Sequence, residues 1–442
     1  MELKDLFLTP IYLLLLYSLA YYIRPKVTNK STKPYFIPAL TLKIVGAIAL
    51  GLIYQFYYGG GDSFHYFHHV KIIYQAFTDA PSTGLRLILA NGEYDPLTYR
   101  YASQMEWYRS PTEYFVIKVA AIFSFISFGT YTVIAICFAF LSFTGMWAMY
   151  LTFLKIYPTL QKQFAIAVFF LPSVFFWGSG LMKDSLTIGA LGWLFYGFYN
   201  ATISRNNIVK SAIIALLAAY VIYSVKVYVL LSFLPPALFW VFSENNRKIK
   251  NASLRAFLKP VFIAAGISMA YLGATRLTEG DVRYDVNKIA ERSKINNVYL
   301  SKQVASGSAY HIGVYDGSLG SIVTVGPQAI VVSLFRPFLF EVRNPLMLLS
   351  ALEGSLFIYF TILFIYKVGF FKTLKFISSK PILTFCMIFS LVLAFAVGTN
   401  SGNFGSLVRY KIPLMPFYLA ALFIMQAHLK KPKKSSRLAT TA

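Results

Sequence analysis

The sequence predicts an all-α protein that crosses a membrane many times. Hydrophobic residues make up 57% of the 442-residue chain and charged residues only 13%, a composition too apolar for a chain that folds in water. Uninterrupted apolar runs recur from end to end, and they lack the alternation typical of barrel strands. Because each run approaches the roughly 20 residues that cross the hydrocarbon core, we predict a polytopic fold with about 11–12 transmembrane helices.

The predicted spans follow one another through a single transmembrane domain, residues 1–428. They cover residues 6–23, 36–57, 131–154, 164–177, 181–200, 211–225, 228–242, 260–277, 346–366, 382–398 and 412–428. The first run is expected to remain as a span, because its basic residues follow the apolar stretch, opposite to the secretory pattern. Residues 429–442 form a basic cytoplasmic tail that we expect to be disordered.

The net charge of +24 is concentrated in the short connectors between spans. Basic clusters lie at residues 24–33, 155–162, 205–210, 247–259 and 367–380 and in the tail. Lys and Arg are retained on the cytoplasmic side of membranes, so these connectors mark that face. Topology and contact with anionic membrane lipid account for the charge, and no nucleic-acid partner is expected.

Two long connectors, residues 59–111 and 276–345, face the opposite side and carry most of the acids. Loops of this length in a compact protein are usually functional or disordered, and the aromatic residues of the first loop favour order. Within the second loop, residues 325–340 fit a helix lying in the membrane interface. Residues 113–128 are predicted to be re-entrant or interfacial, since the charge pattern requires an odd number of crossings there.

Ionisable residues at the outer ends of spans are candidates for a functional site, because such groups are costly at membrane depth. The first group follows three glycines and comprises Asp62, His65 and His69, which are spaced to share one helix face. Three interpretations stay open: a carboxylate base assisted by histidines, a metal site formed by the three residues, or a structural helix exit.

Two further groups lie at the outer ends of later spans. Lys183 and Asp184 begin one helix, where the glycines before them could expose backbone N–H groups to an anion. Lys226 lies between two predicted spans. Capping by the aspartate and snorkelling by the lysines are the structural alternatives.

The last group contains two arginines. Arg336 precedes Glu341, and Arg409 with Tyr410 precedes the final span. A guanidinium can hold a phosphate with two hydrogen bonds, so either arginine is a candidate phosphate ligand. A structural ion pair, either Arg336 with Glu341 or Arg343 with Glu353, is the alternative.

The layout resembles the GT-C superfamily of integral membrane glycosyltransferases. A long outer loop opens on Gly61-Asp62, and the last span begins with Arg409-Tyr410 followed by Pro413 and Pro416, similar to motifs of that family. The resemblance implies that Asp62 is the base for an acceptor hydroxyl. The residues it implies for lipid-phosphate binding are Lys183, Lys226, Arg336, Arg409 and Tyr410.

The same resemblance implies the substrates and the location. The donor would be a polyprenyl-linked sugar, the acceptor an envelope glycan, lipid or protein, and the location the extracytoplasmic face of the inner membrane. No metal is required for a monophosphate donor, whereas a divalent metal stays an alternative for a diphosphate. The chain lacks the family's second acid beside Asp62, and Glu93, Asp95 or Glu106 could supply it.

Two other functions remain open at this point. Polymerases and ligases of lipid-linked glycans also display outer-loop arginines, which suits Arg336 and Arg409. A transporter or flippase would use the same charges as a pathway, although no inverted repeat is visible in the sequence. We expect a glycosyltransferase.

Overall fold

The fold is all-α, as predicted. The computed structural model describes residues 2–246, 251, 289–302, 308–313 and 316–430, and no strand forms among them. The predicted span 260–277 and nearly all of the basic tail lie outside these residues.

The helices of the N-terminal half are α1 (Leu3–Val27), α2 (Lys33–Leu52, continued as a π-helix over Ile53–Tyr57), α3 (Asp62–Asp79), α4 (Pro81–Leu89), α5 (Tyr99–Ala102), α6 (Pro111–Ile126), α7 (Tyr131–Ile156), α8 (Gln161–Phe169), α9 (Pro172–Trp177), α10 (Lys183–Phe198, continued as a π-helix over Tyr199–Ile203) and α11 (Ile208–Asn246). Those of the C-terminal half are α12 (Ile289–Lys302), α13 (Leu319–Thr324), α14 (Gly326–Phe335), α15 (Pro345–Val368), α16 (Phe370–Ser379), α17 (Pro381–Asn400), α18 (Phe404–Tyr410) and α19 (Met415–Lys430). Short 3-10 helices cover Leu339–Glu341 and Ile412–Leu414.

Among the described residues, seven helices are long and apolar enough to cross a membrane. They are Leu3–Val27, Lys33–Tyr57, Tyr131–Ile156, Ile208–Asn246, Pro345–Val368, Pro381–Asn400 and Ile412–Leu429. All seven coincide with predicted spans. The protein is therefore a membrane-embedded helical bundle.

The 39-residue helix α11 is two antiparallel arms. Lys226 has non-helical backbone angles, φ −146° and ψ 74°. Ala215 lies against Gly197 of α10, and Trp240 packs on Phe195 of the same helix. A straight helix would separate residues 215 and 240 by about 37 Å. The chain must reverse near Lys226, so the predicted spans 211–225 and 228–242 are the two arms.

The predicted span 164–177 is divided, which corrects the sequence interpretation. Helix α8 ends at Phe169 and α9 starts at Pro172. Proline has no backbone N–H and disfavours a helical conformation in the residue before it, which explains a break at this point. The short α9 carries Trp177 toward the polar cluster described below.

Both long connectors, residues 59–111 and 276–345, contain helices within the described residues. Residues 59–111 contain α3, α4 and α5, and α6 packs on α3 and on α11. A helix forms within the predicted stretch 325–340 as α14, which ends at Phe335, and its predicted place in the membrane interface stays a prediction.

Helices α7 and α10 approach closely because their contact surface consists of glycines. A Cβ atom at Gly145 would overlap the carbonyl group of Gly189, and one at Gly192 would overlap that of Gly145. Small residues allow two helix backbones to approach in a membrane, where dispersion replaces the hydrophobic effect. This contact fixes the position of α10 along its own axis relative to α7, and with it the position of Asp184.

The basic connector that follows α7 and the candidate site lie at opposite ends of the bundle. At one end, Lys155 of α7 donates a hydrogen bond of 2.9 Å to Asn200, which follows α10. At the other end, Ser63 and Tyr131, at the starts of α3 and α7, are hydrogen-bonded at 2.7 Å. We call the first the basic end and the second the site end.

Candidate functional site

Two motifs from distant parts of the sequence meet at the site end. Asp62 is the first residue of α3, and Arg409 is the next-to-last residue of α18. The Arg409 Nη2 atom lies 2.8 Å from the Asp62 Oδ2 atom. An ion pair therefore joins the glycine-rich exit of α2 to the segment that precedes the last span.

A second acid, Asp184, faces the same arginine. Its Oδ1 atom lies 2.5 Å from the Lys226 Nζ atom, and its Oδ2 atom lies 3.6 Å from the Arg409 Nε atom. Asp184 is in the first turn of α10, where the helix dipole favours a negative charge. Lys226 reaches it because α11 reverses at that residue. We call Asp62, Arg409, Asp184 and Lys226 the four-charge cluster.

Aromatic side chains form the walls of this cluster. The Arg409 guanidinium lies 5.8 Å from the Trp177 ring, and its Nη1 atom is 3.5 Å from the Tyr54 hydroxyl. The Lys226 ammonium lies 5.1 Å from the Tyr410 ring. Cations are attracted to aromatic ring faces, most strongly where water is excluded. Tyr54 and Trp177 belong to the site although the sequence analysis did not select them.

The exposure of the four charges differs sharply. The Asp62 side chain is 49% exposed and that of Arg409 is 20% exposed, whereas Asp184 and Lys226 are only 1% and 6% exposed. A carboxylate that takes up a proton from a substrate must be accessible to it. Asp62 meets this condition, and the buried Asp184–Lys226 pair instead fixes the electrostatic environment of Arg409.

The glycines before Asp62 determine its position. Gly61 has a φ of 122°, which side chains other than glycine rarely allow. A Cβ atom at Gly61 would also lie 2.5 Å from the Tyr54 ring. Gly59 has a positive φ as well, 69°, but its Cβ would meet no atom within 4 Å.

We expect Gly61→Ala to destabilise the protein by an amount on the order of 1–3 kcal/mol, because backbone strain and a steric clash act together. Gly59→Ala is the matched control, since it adds a Cβ at positive φ without a neighbour. Thermal unfolding of both variants in detergent measures the difference. Equal unfolding temperatures for the two variants would contradict the proposed contact of residue 61 with Tyr54.

Lys183 lies beside this cluster but is already engaged. Its ammonium forms an ion pair with Glu113 and donates a hydrogen bond of 2.9 Å to the Thr112 hydroxyl. Burial raises the pKa of Glu113, but the Lys183 charge and hydrogen bonds from Ser110 and Thr112 outweigh burial and hold the pKa at about 2. The predicted phosphate ligand Lys183 is thus neutralised by an acid that the sequence analysis did not select.

The histidines have partners other than Asp62. The His65 Nε2 atom lies 2.8 Å from Glu106, and His69 is buried beside Trp107, with ring centroids 5.4 Å apart. In the part of the chain that the structure describes, no three His, Cys, Asp or Glu side chains are grouped to hold a metal ion. The metal site of Asp62, His65 and His69 therefore stays a prediction.

We expect His69 to make stability depend on pH. Burial, followed by the charges of His65 and His68, lowers the pKa of His69 to about 4. Between pH 6.5 and 4 the unfolded chain takes up a proton that the folded chain does not, so stability falls as the pH falls, by an amount on the order of 1 kcal/mol. His69→Gln should flatten this dependence in thermal unfolding from pH 7 to 4.5, whereas His68→Gln, at an exposed position, should retain it. An unchanged slope in His69→Gln would contradict the assignment.

Arg336 lies outside the four-charge cluster. Its guanidinium forms an ion pair with Glu341 and packs 5.3 Å from the Phe404 ring. Burial raises the pKa of Glu341, but hydrogen bonds from Arg336 and the Phe338 N–H group lower it below its ordinary value. The structural alternative for Arg336 considered from the sequence is therefore the one observed.

Asp184 is the acid that shares Arg409 with Asp62 among the ion pairs of the described residues. Of the three acids proposed from the first long loop, Asp95 lies 3.6 Å from Arg86 and accepts a hydrogen bond from the Leu97 N–H group, and Glu106 pairs with His65. The backbone carbonyl of the third, Glu93, accepts a hydrogen bond from Tyr108.

Two buried charges hold α9 in place: Lys43, which the sequence analysis missed, and Glu353, which it considered only as a partner of Arg343. Lys43 is fully buried in α2 and donates to the Gly178 carbonyl just after α9. Glu353 of α15 accepts a hydrogen bond of 2.7 Å from the Ser173 N–H group in the first turn of α9. The acid lies at the N-terminus of α9 and the lysine at its C-terminus, where the helix dipole favours each charge. Both were readable as isolated charges within apolar runs.

Comparison of the chain with protein-family models, with curated proteins and with solved structures finds no match. The four-charge cluster is therefore the basis for assigning a function. The cluster contains an exposed acid, a shared arginine and a buried acid–lysine pair, and it lies at the site end of a membrane-embedded bundle, opposite the basic end.

Proposed function

We propose that the protein is a membrane glycosyltransferase that transfers a sugar from a polyprenyl-phosphate-type donor to a cell-envelope acceptor. The contact between Asp62 and Arg409 carries this proposal. It unites the two motifs that resemble the GT-C superfamily, and it places an accessible carboxylate beside a permanent positive charge.

The proposed chemistry divides between these two residues. The hydroxyl oxygen of the acceptor attacks the anomeric carbon of the sugar while its proton passes to the Asp62 carboxylate. The bond from that carbon to the lipid phosphate breaks, and the electron pair leaves with the phosphate oxygen. Arg409 stabilises the negative charge that develops there, because a fixed cation acts strongly where water is scarce.

The buried pair has a supporting role in this mechanism. Asp184 also balances the charge of Arg409, from near its Nε atom, and Lys226 in turn compensates Asp184. The arginine is thereby held in one position before substrate binds, which lowers the cost of organising the transition state. A divalent ion stays an alternative source of positive charge for a diphosphate donor.

The location of the proposed reaction follows from the charge pattern. Basic connectors are retained in the cytoplasm, so the site end would face the extracytoplasmic side of a multi-pass protein of the inner (plasma) membrane. The acceptor there would be an envelope glycan, lipid or protein. Membrane lipid surrounds the protein, and nucleic acid has no part in the proposal.

One observation favours transport as a second candidate function. Lys226 interrupts α11 and pairs with a buried acid, and transporters often bind substrates at broken helices. A polymerase or ligase of lipid-linked glycans is less well supported, because Arg336 is paired with Glu341.

A reconstituted assay separates these functions. The purified protein in proteoliposomes is given polyprenyl-monophosphate sugars labelled in the sugar, together with extracted envelope lipids and glycans. We expect labelled sugar to appear in a product that is not the donor, with release of polyprenyl phosphate, and no product from nucleotide sugars. Movement of intact labelled donor across the bilayer without transfer would contradict the proposal and support the transporter.

A further inference from the structure

A cavity of about 260 Å³ lies between α6 and the first arm of α11. Its walls are rich in tyrosine and include one lysine, Lys118. The lining residues are Asn91, Tyr108, Pro111, Thr112, Tyr114, Phe115, Lys118, Tyr220, Tyr223, Ser224 and Val227. We call it the side cavity.

The side cavity adjoins the four-charge cluster at two points. Thr112, on its wall, accepts the hydrogen bond from Lys183. Val227, also on its wall, directly follows Lys226 in the break of α11. The cavity therefore borders the residues that neighbour Asp184 and Lys226 in the sequence.

Lys118 differs from the four cations predicted from the sequence to bind the lipid phosphate. The cations Lys183, Lys226, Arg336 and Arg409 each form an ion pair with a carboxylate. Half-buried Lys118 forms none within the described residues, and its ammonium lies 5.2 Å from the Tyr114 ring. Burial lowers the pKa of Lys118, because its desolvated charge has little compensation. An anion in the cavity would supply that compensation.

The cavity also borders a surface that suits hydrocarbon. On the first arm of α11, Leu216 and Leu217 are 70% and 63% exposed, and Tyr220, which lines the cavity, is 59% exposed. In a membrane-embedded helix, exposed leucines contact lipid chains, and tyrosines prefer the headgroup level. The cavity wall at Tyr220 therefore borders the surface of α11 that suits lipid.

Some polar groups of the cavity are already hydrogen-bonded to the protein, and others are exposed and can contact a ligand. The Tyr108 and Tyr114 hydroxyls donate to the carbonyls of Glu93 and Leu87, at 2.7 Å and 2.6 Å, so they hold the wall in place. Asn91 and Tyr223 are exposed and can donate hydrogen bonds to a phosphate next to Lys118.

We propose that the side cavity binds the phosphate group of a polyprenyl-type amphiphile at Lys118, with the hydrocarbon chain leaving past Tyr220 into the membrane. The inference rests on the proposed function and assigns the lipid-phosphate contact to a residue outside the two motifs. In this arrangement Arg409 acts on the reacting bond, and Lys118 holds the carrier.

Binding of farnesyl phosphate to the purified protein tests the proposal, with tryptophan fluorescence as the readout. We expect Lys118→Gln to weaken binding by at least about tenfold, because a phosphate loses its charged partner. Uncharged farnesol should bind equally to the wild-type protein and to this variant. Lys162→Gln, which changes a lysine near the basic end, is the matched control and should bind farnesyl phosphate as the wild-type protein does.

The outcomes are distinguishable. Equal affinity of Lys118→Gln and wild type for farnesyl phosphate overturns the inference. Inorganic phosphate that binds as tightly as farnesyl phosphate overturns it too, because the ligand would then be soluble phosphate. Since binding needs no turnover, a Lys118-dependent site in a protein that transfers no sugar would refute the proposed function and leave the anion site standing.

Discussion

Lys226→Met is expected to lower the free energy of unfolding by about 3–5 kcal/mol, because it leaves the buried Asp184 carboxylate without its closest cation. Asp184 and Lys226 are 1% and 6% exposed, so water can compensate little of the loss. Denaturant unfolding of the purified variant measures the change. Lys210→Met, at an exposed position near the basic end, should differ from the wild-type protein by less than about 0.5 kcal/mol.

A double variant identifies the cause of this loss. In Asp184→Asn combined with Lys226→Met, no carboxylate remains to be neutralised, so most of the lost stability should return. Arg409 keeps its contact with Asp62 in this variant. If the double variant is less stable than Lys226→Met alone, the loss is due to packing and the pair has no electrostatic role.

Arg409→Gln is expected to reduce sugar transfer by roughly 10²–10³-fold, because it removes the cation that stabilises the leaving phosphate. It also removes the charge shared by Asp62 and Asp184, so unfolding must be measured alongside the rate. Arg205→Gln, in a connector near the basic end, is the control and should transfer sugar at the wild-type rate.

The two outcomes of this experiment have different meanings. A lower rate at unchanged affinity for the donor indicates a role in the transition state. A wild-type rate in a stably folded Arg409→Gln protein would exclude the arginine from the chemistry.

The spans were predictable from sequence because membrane crossing imposes a length and a composition. The reversal of α11 at Lys226 was predicted in the same way, since one charge separated two apolar runs. The break between α8 and α9 was missed, because the apolar run continues through Pro172. Proline there ends one helix and starts another without changing the hydropathy.

The members of the four-charge cluster were predictable, but their pairing was not. Asp62, Asp184, Lys226 and Arg409 were all selected as charges at outer ends of spans. Which acid faces which base depends on how helices pack, and the glycine contact between α7 and α10 that positions Asp184 has no signature in the charge pattern. The same limit explains why Lys183 could not be recognised as neutralised, whereas the pairing of Arg336 with Glu341 was one of the alternatives considered from the sequence.

The central claim is that Asp62 is the base in a reaction that Arg409 assists. The most direct test is the single-turnover rate of sugar transfer by Asp62→Asn, which keeps the shape of the side chain and a hydrogen-bond acceptor for Arg409. We expect a loss of about 10²–10⁴-fold, because the amide cannot take up the acceptor's proton, with unchanged unfolding and unchanged affinity for the donor. A stably folded Asp62→Asn protein that transfers sugar within about threefold of the wild-type rate would contradict the claim.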